Sequence, residues 1–238
     1  MIDFKNTLII DIETVSVVQN YHELSDRLRK QWDRKAALIR NDDDLAIDEL
    51  FFDRAGIYAE FGKVICIAFG MFTRPGKGQL GIRIKAFGSK HEKELLTNFK
   101  DLIDRKLDGE SLILCAHNGK EFDFPYLCRR YLINGIEIPV ALQIAGKKPW
   151  EIKHIDTMEM WKFGDRRNYT SLDLLAALFE INSSKIDIDG SMVNKVYYQE
   201  NKLERIIEYC KQDVLVTANL FLKLNLMNAI PEHNVAYV

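Results

Sequence analysis

The sequence predicts an α/β fold, a mixed β-sheet flanked by α-helices, on three observations. Short runs rich in β-branched residues are bounded by turn formers. Between and after them, apolar residues recur at helical spacing. Strands come first and then alternate with helices, an order that implies a mixed sheet covered by helices.

Residues 7–12 (TLIIDI) are the first strand, with Leu8, Ile9, Ile10 and Ile12 as its apolar residues. The charge-rich piece from about 19 to 60 carries the acidic run Asp42, Asp43, Asp44 and predicts two polar helices, about 21–39 and 45–58, inserted between the first two strands. Its Arg27, Arg29, Lys30, Arg34, Lys35 and Arg40 either contact phosphate or form a solvated helix face. Strands follow at 63–72 (KVICIAFGMF) and 80–87 (LGIRIKAF). A helix over 89–106 opens with a capping box, Ser89 with Glu92, and repeats apolar residues at Leu95, Leu96, Phe99, Leu102 and Ile103. A strand at 111–116 (SLILCA), a helix at 122–133, a strand at 152–157 and helices at 171–180 and 201–227 complete the pattern, read as one domain over 1–238.

At 238 residues the chain can bury a sizeable core, and 47% hydrophobic with 29% charged residues is ordinary for a globular protein. No window approaches the roughly 20 apolar residues of a membrane span, and MIDFKNTLIIDI lacks the features of a secretory signal. A cytoplasmic protein with no membrane association is expected. Cys66, Cys115, Cys128 and Cys210 show no CxxC spacing, so neither a zinc site nor a disulfide framework is indicated. The net charge of −2 means that a polyanionic partner would need a local basic patch or bound cations.

Asp11 and Glu13 are costly residues for the end of a buried strand. Alternate side chains face the same way, about 7 Å apart at Cα; one carboxylate is protonated or salt-bridged, as in many surface pairs, or the two share a divalent cation, which takes hard oxygen ligands. In HNGKEFDFPYLCRRYL (117–132), a buried strand runs into a glycine-containing turn and a helix, which sets Asp123 near the strand's C-terminal edge, either facing a site or serving as a helix N-cap or first-turn residue. In EYCKQDVLV, Tyr209 and Asp213 are four apart on one helical face, with Cβ atoms about 6 Å apart.

Taken together, DIE at 11–13, NGKEFD at 118–123 and YCKQD at 209–213 resemble the three signatures of the DEDD exonuclease superfamily. Glu208 stands where the other branch has His, so the chain resembles the tyrosine branch. FDFPYL, HIDTMEMW and YTSLDLLAALF are similar to the proofreading exonuclease domain of B-family DNA polymerases. The resemblance spans nearly the whole chain apart from 19–60. It implies a ribonuclease H-like fold and two divalent cations, Mg²⁺ or Mn²⁺. Asp11 would bridge the ions, Glu13 and Asp213 would complete the first, and Asp123 would hold the second. Tyr209 would hydrogen-bond the attacking water. Thr14 matches a position that contacts the terminal nucleotide. Asn118 matches a positioning residue and can equally be an Asx turn. Arg166, Arg167, Lys147 and Lys148 either hold the nucleic-acid backbone or are surface residues, and His117 is expected to be structural.

The implied activity is 3'-5' exonucleolytic hydrolysis of DNA at single-stranded or frayed 3' ends, which a narrow cleft with base stacking favours. An exoribonuclease, or a nucleic-acid-binding module that does not hydrolyse, are the alternatives. No G-x-S-x-G, Walker A or G-x-G-x-x-G motif supports other chemistry. The chain ends about 25 residues after Asp213, so a stand-alone nuclease, or a subunit working with replication or repair proteins, is expected.

Overall fold

The β-branched run Leu8–Ile12 forms a strand with essentially no exposed aliphatic side chain, because both of its faces are covered by helices. In chain order the elements are β1 (Thr7–Ser16), α1 (Asp26–Ala36), α2 (Ile47–Arg54), β2 (Gly62–Gly76), β3 (Gln79–Gly88), α3 (Glu92–Asp101), β4 (Ile113–Ala116), α4 (Asp123–Ile133), β5 (Ile155–Asp156), α5 (Thr157–Lys162), α6 (Leu172–Leu178), α7 (Val193–Tyr198), α8 (Leu203–Leu224) and β6 (Val235–Tyr237). The structure, a computed structural model, describes residues 2–42, 44–76, 79–165, 169–183 and 188–238.

The strands form one mixed sheet in the order β5-β4-β1-β2-β3-β6. β1 pairs antiparallel with β2 and parallel with β4, so it sits near the centre of the sheet. The even-numbered Leu8, Ile10 and Ile12 face α3 and α4, meeting Leu95, Phe99, Phe124 and Leu127. The odd-numbered Ile9 faces α8, meeting Cys210 and Val214. A bulge on β2 breaks the ladder beside Glu13. Glu13 pairs with Cys66 and Thr14 with Val64, leaving Ile65 unmatched. Ile65 then turns toward α8, packing with Val15 and Tyr209, which is how bulges redirect side chains near sites.

α8 is buried along much of its length because it has four neighbours: the sheet, α5, α6 and α7. It comes close to the sheet where Gly70 has no side chain. A Cβ at Gly70 would lie 2.9 Å from Val214 Cγ1 and 2.8 Å from Ile82 Cδ1. No helix among the described residues is long and apolar enough to cross a membrane.

Several expectations change. The inserted segment does lie between β1 and β2, but its helices are shorter than expected and not polar throughout. Trp32 and Phe51 are fully buried in a satellite cluster with Tyr21, Leu24, Leu50 and Phe61. Arg29 pairs with Asp26, Arg40 pairs with Asp42, and Lys35 lies over the Tyr58 ring, so these three cations are engaged locally. Asp43 lies outside the described residues.

The capping box at Ser89 does not form. α3 starts at Glu92, whose carboxylate turns inward to accept Val64 N–H at 2.8 Å and two bonds from Arg130, at 2.8 and 2.6 Å. The buried ion pair outcompetes the exposed cap. β5 ends at Asp156, because that carboxylate accepts the N–H groups of Met158 and Glu159 and starts α5 at Thr157.

Candidate active site

β1 alternation continues through the carboxylates, so Ile9, Asp11, Glu13 and Val15 share the α8 side of the sheet. From α8, Tyr209, Cys210 and Asp213 face back toward them. Tyr209 and Asp213 are each 8% exposed. One ligand atom from each of Asp11, Glu13 and Cys210 lies within 4.8 Å of the other two. The Cys210 thiol donates to Asp11 Oδ2 at 3.1 Å and approaches the Asp11 carbonyl at 3.5 Å.

Asp123 arrives from the other side of β1. It is the first residue of α4, and its carboxyl lies close enough to β1 to feel the Ile12 backbone N–H. The turn before it is held by a residue that the sequence did not single out. Asp156, 2% exposed, accepts the N–H groups of Asn118 at 2.9 Å and Lys120 at 3.1 Å. Asn118 sits at φ +62°, a left-handed conformation that asparagine tolerates. Its carbonyl accepts the Glu121 and Phe122 N–H groups, so the tight turn is built from backbone and not from an Asx side chain. The expected alternative of an Asx turn is therefore replaced by a positive-φ turn clamped by Asp156. His117 is structural. Its Nε2–H donates to Thr170 O at 2.9 Å, Nδ1 accepts from Thr157 Oγ1 at 2.9 Å, and burial lowers its pKa.

The electrostatics follow from burying like charges together. Burial raises Asp11 well above the usual carboxylate range, with Asp213 and Asp123 adding to the effect and the Cys210 thiol opposing it. Burial raises Glu13 similarly, with Asp11 and Asp213 next. Asp123 is pushed up to about 7, chiefly by burial and then by Asp156 and Asp213. The Tyr209 phenol is raised by burial and by Asp213, Glu13 and Asp11, so it stays protonated at neutral pH. These mutual effects place Asp11, Glu13, Asp123, Tyr209 and Asp213 in one neighbourhood. Glu13 has no hydrogen bond or ion pair among the described residues although it is 8% exposed. A buried, self-repelling carboxylate cluster of hard oxygen donors fits divalent cations, which would supply the missing positive charge.

The remaining candidates separate. Thr14 lies on the opposite face of β1 from Asp11, and its hydroxyl donates to Gly56 O at 2.8 Å, the carbonyl that also accepts Tyr126 OH. That side chain is used by the fold, which leaves the Thr14 backbone beside Glu13. The Asn118 amide side chain has no hydrogen bond among the described residues, so it is available. Lys148 lies over the Trp150 ring, and Lys147 is exposed. Arg166 and Arg167 lie outside the described residues. Tyr169, which the sequence did not point to, is 69% exposed yet close enough to Asp123 and Asp156 to feel both charges.

Residues 57–234 match the model of a family described as predicted 3'-5' exonucleases related to the exonuclease domain of PolB. The matched span contains Asn118, Asp123, Tyr209 and Asp213, and β1 lies before it. The chain is also similar in structure to the family B DNA polymerase of the hyperthermophilic archaeon Pyrobaculum calidifontis. The TM-score is 0.57 at 18% identity, over 92% of this chain and 24% of that one. The chain thus spans about a quarter of that polymerase. The shared architecture is α/β and ribonuclease H-like, a mixed six-stranded sheet flanked by helices.

Proposed function

Given that the chain belongs to the family of predicted 3'-5' exonucleases related to the exonuclease domain of PolB, we propose that it is a metal-dependent DNA 3'-5' exonuclease of the DEDD tyrosine branch. The observation that carries this reading is the convergence of Asp11, Glu13, Asp123 and Asp213, from β1, α4 and α8, beside one phenol. Asp11, Glu13 and Asp213 would hold one divalent ion, Mg²⁺ or Mn²⁺, and Asp11 with Asp123 a second. Such a pair, when bound, stabilises the attacking and leaving oxygens of a phosphodiester.

The chain's own groups do the rest. Tyr209, kept protonated by burial, by its acidic neighbours and by the hydrogen bond it makes with Asp213, would turn that O–H to the attacking water once Asp213 holds a cation, and leaves the proton-accepting role to a carboxylate. The Cys210 thiol holds one Asp11 oxygen in place. The free Asn118 amide and the Thr14 backbone contact the terminal nucleotide, and the exposed Tyr169 ring offers a face on which its base stacks. Single-stranded or frayed 3' ends fit these contacts. Replication or repair proteins are the partners this activity would serve.

Matched DNA and RNA oligonucleotides, each blocked at the 5' or the 3' end, test the reading with Mg²⁺ and with Mn²⁺. Stepwise loss from free 3' ends of DNA, abolished by Asp11→Ala, is expected. Preferential loss from RNA would move the substrate class. Binding without cleavage under every metal condition would overturn the enzymatic reading.

A further inference from the structure

The cation cluster contains a sulfur. An all-oxygen site selects hard ions such as Mg²⁺ and Mn²⁺, whereas a thiolate selects zinc-like ions. Cys210 Sγ lies 3.1 Å from Asp11 Oδ2, and Asp11, Glu13 and Cys210 each offer a donor atom within 4.8 Å of the others. Donors around one tetrahedral zinc ion lie roughly 3.3 to 3.7 Å apart, given zinc-ligand bonds of about 2.0 to 2.3 Å. Small side-chain movements therefore close the three donors on a single ion.

A second observation points into the same place. Glu13 is only 8% exposed, and its carboxylate has no hydrogen-bond or ion-pair partner among the described residues, its oxygens keeping the little solvent-accessible surface the residue has. No Lys or Arg among the described residues pairs with Asp11 or Glu13 either. A largely buried carboxylate with no protein partner has lost much of its hydration, and a cation shared with Asp11 and Cys210 offsets that loss. The other cysteine on this side, Cys66, stands opposite Glu13 on β2 and also neighbours Cys210.

We propose that Cys210 is itself a metal ligand, so that a thiophilic divalent cation such as Zn²⁺ binds across Asp11, Glu13 and Cys210 and displaces the hard ions from this cluster. The inference rests on the reading that Asp11 and Glu13 hold cations, and it adds a competing ligand class to that site. On binding, the thiol S–H bond breaks, a sulfur-metal bond forms and the proton leaves to solvent. No electron is transferred. Availability of zinc-like ions would then set how much of the protein is active.

The test is a Co²⁺ titration of the full, metal-free chain, followed in the near ultraviolet. Wild type and Cys66→Ser should both develop a thiolate-to-cobalt charge-transfer band, and added Zn²⁺ should bleach it. Cys210→Ser and Cys210→Ala, each checked for folding by circular dichroism, should lose the band. Their Zn²⁺ affinity should fall by roughly 10- to 100-fold, the loss that even a supporting group near a metal produces. Absence of the band in wild type, or its persistence in both Cys210 variants, overturns the proposal and leaves the thiol as a donor to Asp11 only. Hydrolysis with Mg²⁺ or Mn²⁺, assayed on the same preparation, separates the two readings. Activity without the band removes the sulfur ligand alone, and a band without activity removes the nuclease reading while the sulfur site stands.

Discussion

The Asp156 carboxylate at the end of β5 accepts the backbone N–H of Asn118 at 2.9 Å, clamping the turn that delivers Asp123 to β1. The same carboxylate takes the N–H groups of Lys120, Met158 and Glu159. Asp156→Ala should therefore strand several buried donors, at about 3 kcal/mol, lowering Tm by about 6 to 12 °C. Turnover should fall further than the lost stability explains, because Asp123 is displaced. A variant that melts early but turns over like wild type at a permissive temperature would show that the clamp does not position Asp123.

The pKa shifts fix the sign of the pH response. Asp123 is raised to about 7, and Asp11 and Glu13 are raised well above ordinary carboxylates. Between the unfolded value near 4 and these folded values, the native chain holds protons that the unfolded chain has released. Unfolding free energy must then fall as pH rises across that window. Metal-free protein should melt at a higher temperature near pH 5 than near pH 8. Saturating Mn²⁺ should restore stability at the higher pH, since it binds the deprotonated groups. Thermal melts in a chelator that stay level or rise over that range would contradict the buried cluster.

Tyr209→Phe keeps the ring and removes one donor. If the phenol serves the attacking water, turnover should drop by about 10- to 150-fold, the worth of one hydrogen bond to a charged partner. Mn²⁺ affinity, measured calorimetrically, should stay nearly the same. Equal turnover in the two proteins would refute the role.

Away from the site, Arg130 and Glu92 form a buried ion pair at 2.6 Å, and Arg130 Nη1 also donates to Ala59 O at 2.8 Å. Arg130→Leu should cost about 3 to 5 kcal/mol in chemical denaturation because Glu92 is left charged without its partner. Restoring that stability by adding Glu92→Leu would show that the cost lay in the orphaned carboxylate. A single variant within about 0.5 kcal/mol of wild type would contradict the pairing.

The site was legible where local periodicity decides direction. Alternation on a buried strand sets Asp11 and Glu13 side by side, and four-residue spacing sets Tyr209 above Asp213. The sheet was legible for the same reason, since each β-branched run of the first five became a strand. What failed depends on long-range partners. Glu92 reads as a cap from its spacing to Ser89 and is drawn inward by Arg130, 38 residues away. Asp156 reads as an ordinary strand end, and only the tertiary turn it clamps gives it a role. Cys210 escaped the spacing rules for metal sites because the carboxylates it faces, Asp11 and Glu13, lie 199 and 197 positions earlier, on β1. Trp32 and Phe51 were hidden among charges, since a satellite core needs only a few apolar residues from each helix.

Binding of Mn²⁺ to the metal-free chain, counted by electron paramagnetic resonance, asks most directly whether β1, α4 and α8 build one cation cage. Two ions per wild-type chain are expected, with Asp11→Ala losing at least one and Asp123→Ala losing only one. A chain that takes up no Mn²⁺, or that takes up the same number after Asp11→Ala, would contradict the account.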